Sequence, residues 1–212
     1  MTSASRRTQQ ATGAPTSTSQ LEDVIAQRIE ASIAVKRGLL RHTALCAEVA
    51  ERIIGAFRAG HKVLLFGNGG SAADAQHIAA EFVGRYYLDR PALPAQALTV
   101  NTSSLTAIGN DYDFDQVFSR QIEAFGQPGD VAIGISTSGN SRNVIAALRA
   151  ALRRDMVTIA LTGESGGQMK AEAEYCIRVP STDTPRIQEG HILVGHIVSE
   201  LVEQAIFGGP HD

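Results

Sequence analysis

The spacing of hydrophobic and polar positions changes along the chain, and the changes mark its parts. Leu21, Ile25, Ile29 and Ile33 recur every four residues, the stripe of an amphipathic helix. Ser19, with Glu22 three residues on, has the form of a capping box and predicts that the helix starts there. Gly38 predicts an interruption. Leu45, Val49, Ile53, Ile54 and Phe57 define a second helix that ends at Ala59-Gly60. Beyond Gly60 short apolar runs alternate with helical patterns. Strands are predicted at Lys62–Phe66, Ala95–Val100, Val131–Ile135, Val157–Leu161 and Tyr175–Val179. Helices are predicted from Ala72 to about Val83, and at Ser104–Gly109, Gln116–Phe125, Asn143–Arg154, Gly166–Ala173 and Arg186–Phe207. This alternation implies an α/β fold, a five-stranded parallel sheet with helices on both faces. The two helices ahead of the first strand lie outside a minimal sheet of this kind. They are expected to cover one side of it or to pair with a neighbouring subunit.

Composition narrows the picture. The 212 residues, 43% of them hydrophobic, suit one domain with a sizeable core. Residues 1–18 are mostly Ser, Thr, Ala, Gln and Gly and are expected to be a disordered tail, leaving 19–209 as a single domain. A net charge of −3 gives no basic field for nucleic acid or an anionic membrane. Trp is absent, so no base-stacking platform stands out. No apolar run reaches the ~20 residues of a membrane span. Arg6-Arg7 is not followed by the apolar stretch of a secretory leader. Cys46 and Cys176 sit far apart in apolar surroundings and read as two reduced thiols. A cytoplasmic protein is expected.

Ligands of parallel sheets bind at the carboxyl ends of the strands, where the strand order reverses. Three predicted loops leave such ends: Gly67–Ser71, Asn101–Ser104 and Ser136–Ser141. The first, Gly67-Asn68-Gly69-Gly70-Ser71, could turn backbone N–H groups toward an anion, but no Gly-Lys-Ser/Thr follows as in a P-loop. The third, Ser136-Thr137-Ser138-Gly139-Asn140-Ser141, runs into a helix. Some of its hydroxyls could simply cap that helix. Four hydroxyls in six residues exceed what capping needs, so a phosphate held by hydroxyls, backbone N–H groups and the helix dipole is favoured. His77 and Glu81, four residues apart, share a helix face. By themselves they read as a surface hydrogen bond sooner than as a ligand or acid–base pair. The last helix adds Gln188, Glu189, His191 and His196; the last of these sits in an apolar run and needs a polar partner.

Four segments, GNGGSAADAQHIAAEF, TAIGNDYDF, GISTSGNSRNVI and RIQEGHILVGHIV, appear in order and at suitable spacing. In them the chain resembles the phosphoheptose isomerase family of the sugar isomerase (SIS) domain superfamily, from Leu21 to Phe207. The resemblance implies a flavodoxin-like sandwich, a homotetramer with active sites between subunits, and conversion of sedoheptulose 7-phosphate to D-glycero-D-manno-heptose 7-phosphate. By position, Ser136, Thr137, Ser138 and Ser141 would hold the phosphate. Asn68, Gly69, Gly70, Asn110, Asp111 and Gln188 would contact the sugar. Glu81 and His196 would be the acid–base pair, in either order. One zinc ion per subunit would be held by His77, Glu81, Gln188 and His196. Gln188 and His196 lie about 12 Å apart along an ideal helix, so a bent first turn or a neighbouring subunit would have to complete that shell. Two other readings share the architecture: a non-catalytic SIS-domain regulator that binds a replication initiator, and an isomerase of another long-chain sugar phosphate. A carboxylate at 81 and an imidazole at 196 favour an enzyme.

Overall fold

The computed structural model describes residues 17–209. Most of the predicted N-terminal tail therefore lies outside the described residues. Seven α-helices and five strands are described: α1 Thr18–Gly38, α2 Thr43–Arg58, β1 Val63–Gly67, α3 Gly70–Val83, β2 Ala95–Ala97, α4 Thr102–Asp111, α5 Ser119–Phe125, β3 Val131–Ser136, α6 Arg142–Leu152, β4 Val157–Thr162, β5 Tyr175–Arg178 and α7 Thr184–Phe207. Short 3-10 turns occupy Leu39–His42, Phe114–Gln116 and Gln168–Ala171.

All strand pairs are parallel, in the order β2-β1-β3-β4-β5. The central strands are buried on both faces, so they read as unbroken apolar runs. Side chains alternate between two cores. Val63, Leu65, Ile133, Ile135, Ile159 and Leu161 pack under α2, α3 and α7. Leu64, Phe66, Ala132 and Ala160 pack under α5 and α6. Each fully buried Leu, Ile or Phe contributes about 1.5–3 kcal/mol relative to an exposed one. Strand order reverses between β1 and β3, and the loops after these two strands diverge, to α3 on one face and α6 on the other.

Several boundaries differ from the sequence reading. Ser17, not Ser19, caps α1; its side chain accepts from Gln20 N at 3.2 Å while Gln20 Oε1 accepts from Ser17 N at 3.1 Å. The edge strand β2 stops at Ala97 because the chain turns there. The predicted helix Gln116–Phe125 is a 3-10 turn and a shorter α5, since Val117 and Phe118 are drawn into the second core. Gly166 and Gly167 take φ of 77° and 51°, which restricts the predicted Gly166–Ala173 helix to one 3-10 turn. Pro185 in the first turn of α7 starts that helix at Thr184.

Of the first two helices, α2 covers the sheet through Val49, Ile53 and Phe57. α1 leaves its stripe open: Leu21, Ile25 and Ile29 are about half exposed. Both cysteines are free, and burial pushes both thiols above their usual range. No helix among the described residues is long and apolar enough to cross a membrane.

Candidate active site

Helices α3 and α7 lie side by side and run in the same direction. Gly70 meets Gln188, His77 meets His196, Ile78 meets Gly195 and the turn at Tyr86 meets Glu203. The register depends on Gly195. A Cβ there would sit 2.6 Å from Ile78 Cγ1 and Cδ1, so only glycine lets the helices approach this closely. That approach brings His77 Nε2 to 2.8 Å from His196 Nε2 and carries Glu81 Oε1 with it, 3.2 Å from His77 Nε2. One donor atom from each of the three residues lies within 4.8 Å of the others.

Two imidazole nitrogens 2.8 Å apart cannot both be bare acceptors. Either one carries the proton, or both lone pairs face a cation. The side chains of His77 and Glu81 are 50% and 21% exposed, so the cluster opens outward from the helix layer. Two imidazoles and one carboxylate are the donor types of a catalytic zinc site with an open position, and they fit that metal. Tyr86 places its ring 6.0 Å from the His196 ring. Asp74, one turn before His77, has a buried Oδ2 without a partner among the described residues; burial pushes its carboxyl up, and His77 partly opposes this.

The amide of Gln188 lies against Gly70, where a Cβ would collide with it. Gln188 thus occupies the upstream end of the α3–α7 seam, about two turns from His196 along α7. It shares the seam with the triad. Gly69, with φ of 56°, turns the chain from β1 into α3. Asn68 and Asn143 exchange reciprocal amide bonds of 2.8 Å, and Asn143 Oδ1 also accepts from Val144 N at 2.9 Å. This pair of hydrogen bonds ties the β1 loop to the start of α6 across the point where strand order reverses.

The serine loop sits at the end of β3. Ser141 occupies the N-cap position of α6 but makes no capping bond. Its Oγ lies 2.9 Å from Ser136 Oγ, which is 3.4 Å from Ser138 Oγ. The hydroxyls cluster with one another rather than cap α6, whose N–H at Val144 goes to Asn143 Oδ1, and hydroxyls gathered at a helix start favour an anion. Thr137 and Ser138 line a cleft of about 280 Å³ with Glu164, Ser165, Ser181 and Thr182. Asn110 and Asp111 end α4, exposed and bonded to each other at 2.8 Å. α4 packs on the second core through Leu105 and Ile108, whereas the triad's helices pack on the first. Within one protomer these two residues stand on the other layer from His77, Glu81 and His196.

Glu189 pairs with Arg186 at 2.6 Å. His191 is fully buried, with Nε2–H donating to the Thr162 carbonyl at 3.1 Å and Nδ1 without a partner among the described residues. Burial lowers its pKa to about 4, against the opposing hydrogen bond to Thr162. The unfolded chain therefore binds more protons between the ordinary value of 6.5 and about 4, and stability falls as pH drops through that window. The loss is roughly 3 kcal/mol in all. Urea titrations of His191→Gln should show a flatter acid limb between these values; an unchanged slope would exclude His191 as its source.

Asn143, Arg90 and Glu203 were not visible as site residues in the sequence. Glu203 left one trace: it lies seven residues after His196, on the same face of α7.

The SIS domain family matches residues 26–163. A phosphoheptose isomerase of Aneurinibacillus thermoaerophilus is 54% identical over 190 residues, covering 88% of this chain and 96% of that protein. One from Akkermansia muciniphila is 59% identical over 162 residues, 76% of this chain and 86% of its own. The solved phosphoheptose isomerase of Neisseria gonorrhoeae superposes with a TM-score of 0.82 at 46% identity, over 87% of this chain and 99% of that one. The sugar isomerase domain of an RpiR transcription factor from Sphaerobacter thermophilus, at 22% identity and a TM-score of 0.61 over 85% and 89% of the two chains, shares the fold alone.

Proposed function

We propose that this chain, which belongs to the phosphoheptose isomerase family of SIS-domain proteins, interconverts sedoheptulose 7-phosphate and D-glycero-D-manno-heptose 7-phosphate. The observation that carries the reading is the convergence of His77, Glu81 and His196 across two helices far apart in sequence. Ketose–aldose exchange moves one proton between C1 and C2 and another between O1 and O2. An ene-diol route needs a base at carbon and an acid at the carbonyl oxygen. Glu81 and His196 supply a carboxylate and an imidazole for these two tasks. Ser136, Thr137, Ser138 and Ser141 hold the phosphate at the start of α6. Asn68, Gly69, Gly70 and Gln188 line the path between the two ends of the sugar.

Zinc is the proposed cofactor, one ion per subunit, held by His77, Glu81 and His196 with Gln188 as a further donor. When bound it would supply Lewis-acid polarisation of the substrate carbonyl. A homotetramer is proposed as the working assembly. The open stripe of α1 and the exposed Ile197 and Leu201, which face the α1–α2 junction, support it, since such surfaces bury against another copy. Asn110 and Asp111 would then reach the sugar from a neighbouring subunit. The hydroxyl cluster at the start of α6 supports a small sugar phosphate as the partner, and the two free thiols support a cytoplasmic setting.

Incubation with sedoheptulose 7-phosphate, followed by NMR, tests the reading. The aldose anomeric signals should appear, and rigorous chelation should remove most of the rate. Absence of aldose with or without added zinc would overturn the isomerase. Activity indifferent to chelation would remove zinc alone.

A further inference from the structure

Behind the triad lies a buried ion pair that no step of the reaction uses. Arg90 and Glu203 have side chains only 2% exposed. Glu203 stands two turns beyond His196 on α7. Its carboxylate accepts the main-chain N–H of Tyr86 at 2.8 Å, Tyr87 at 2.6 Å and Leu88 at 2.8 Å, and Arg90 Nε at 2.9 Å. The rest of the Arg90 guanidinium turns back to α3. Nη2 donates to the Glu81 carbonyl at 2.8 Å, and Nη1 to the Phe82 carbonyl at 2.7 Å. The guanidinium also stacks 5.5 Å from the Phe207 ring centroid at the end of α7.

Together these bonds tie α7, the helix that bears His196, to the end of α3 and the turn after it, and the one from Arg90 Nη2 ends on Glu81. Arg90 holds the backbone of Glu81 itself. Glu203 holds the backbone of Tyr86, whose ring flanks His196. We propose that Arg90 and Glu203 are positioning residues that fix Glu81 and Tyr86 relative to His196, so that the pair sets the spacing of the acid–base groups. The proposal rests on the isomerase reading for its kinetic consequence, though not for its geometric one. A lysine can keep the charge pair but cannot also bind two carbonyls in fixed directions, because it lacks the planar fork. It would hold the fold together and release Glu81. A structural role alone predicts a smaller folded fraction. A positioning role predicts that each folded molecule works more slowly.

Arg90→Lys is compared with the wild type and with Arg149→Lys, which alters a surface pair to Glu172. Three quantities are read: kcat and KM with sedoheptulose 7-phosphate, folded fraction by urea titration, and the imidazole resonances of His77 and His196 by NMR. Arg90→Lys should lower kcat about 10- to 100-fold per folded molecule, the scale expected for a misplaced catalytic group. KM should stay within about twofold, because the serine loop is untouched. The His77 and His196 resonances should move in Arg90→Lys and not in Arg149→Lys. Unmoved resonances, or wild-type kcat per folded molecule, would overturn the proposal. If the wild type does not turn over this sugar phosphate, the isomerase reading fails and the resonances alone decide the positioning role.

Discussion

Glu81→Gln should lower kcat by roughly 10²–10⁴-fold, the range for removing a general acid or base. The amide keeps the shape of the side chain and can still meet His77, but it can neither take nor return a proton. Little stability is at stake. The carboxylate is partly exposed and its contact within the chain is the 3.2 Å approach to His77, a helix-surface pair worth about 0–1 kcal/mol. The hydroxyls proposed to hold the phosphate are on another loop, so KM should change far less than kcat. Exchange of the transferred hydrogen with solvent deuterium, which reports proton abstraction directly, should fall with kcat. Zinc content measured on the same sample separates the two roles assigned to this carboxylate. Metal retained with turnover lost marks the proton carrier, and metal lost marks the ligand. Turnover within about threefold of wild type would remove Glu81 from the chemistry altogether.

The sequence made the sheet legible because parallel strands are buried on both faces. β1, β3 and β4 are therefore plain apolar runs, and only their ends were uncertain. The edge strand was harder: Ala95–Val100 carries the right residue types, but β2 pairs on one side alone and the chain turns away after Ala97. The start of α1 was misplaced because the chain offers two overlapping capping boxes, Ser17 with Gln20 and Ser19 with Glu22. The earlier one adds two residues of helix and prevails. At the site, the spacing of His77 and Glu81 was readable, but its meaning was not until His196 stood opposite. That pairing depends on the parallel register of α3 and α7, which Gly195 permits and which no local pattern encodes. The clamp was hidden for a related reason. Glu203 binds mainly to main-chain N–H groups, and these leave no residue type to recognise at positions 86 to 88.

Glu203→Ala should be among the most destabilising single changes in the chain, by about 3–5 kcal/mol, because it removes one partner of a buried charge pair. Three main-chain N–H groups lose their acceptor, and a guanidinium 2% exposed is left with three carbonyls and no counter-charge. The sign with pH follows from the carboxyl itself. Burial alone would push the Glu203 carboxyl up, but hydrogen bonds from Leu88, Tyr86, Tyr87 and Arg90 outweigh it and hold the carboxyl below its usual range. A carboxylate favoured in the fold stabilises above its unfolded value and loses that contribution as pH falls through the lower, folded one. Urea unfolding at pH 7 should therefore show the full loss in Glu203→Ala, and the gap to wild type should narrow at acid pH. Replacing both partners with leucine should cost less than Glu203→Ala alone, since no orphaned charge remains. A Glu203→Ala stability within about 1 kcal/mol of wild type, or a double variant worse than the single, would mean that the carboxylate is not what binds α7 to the end of α3.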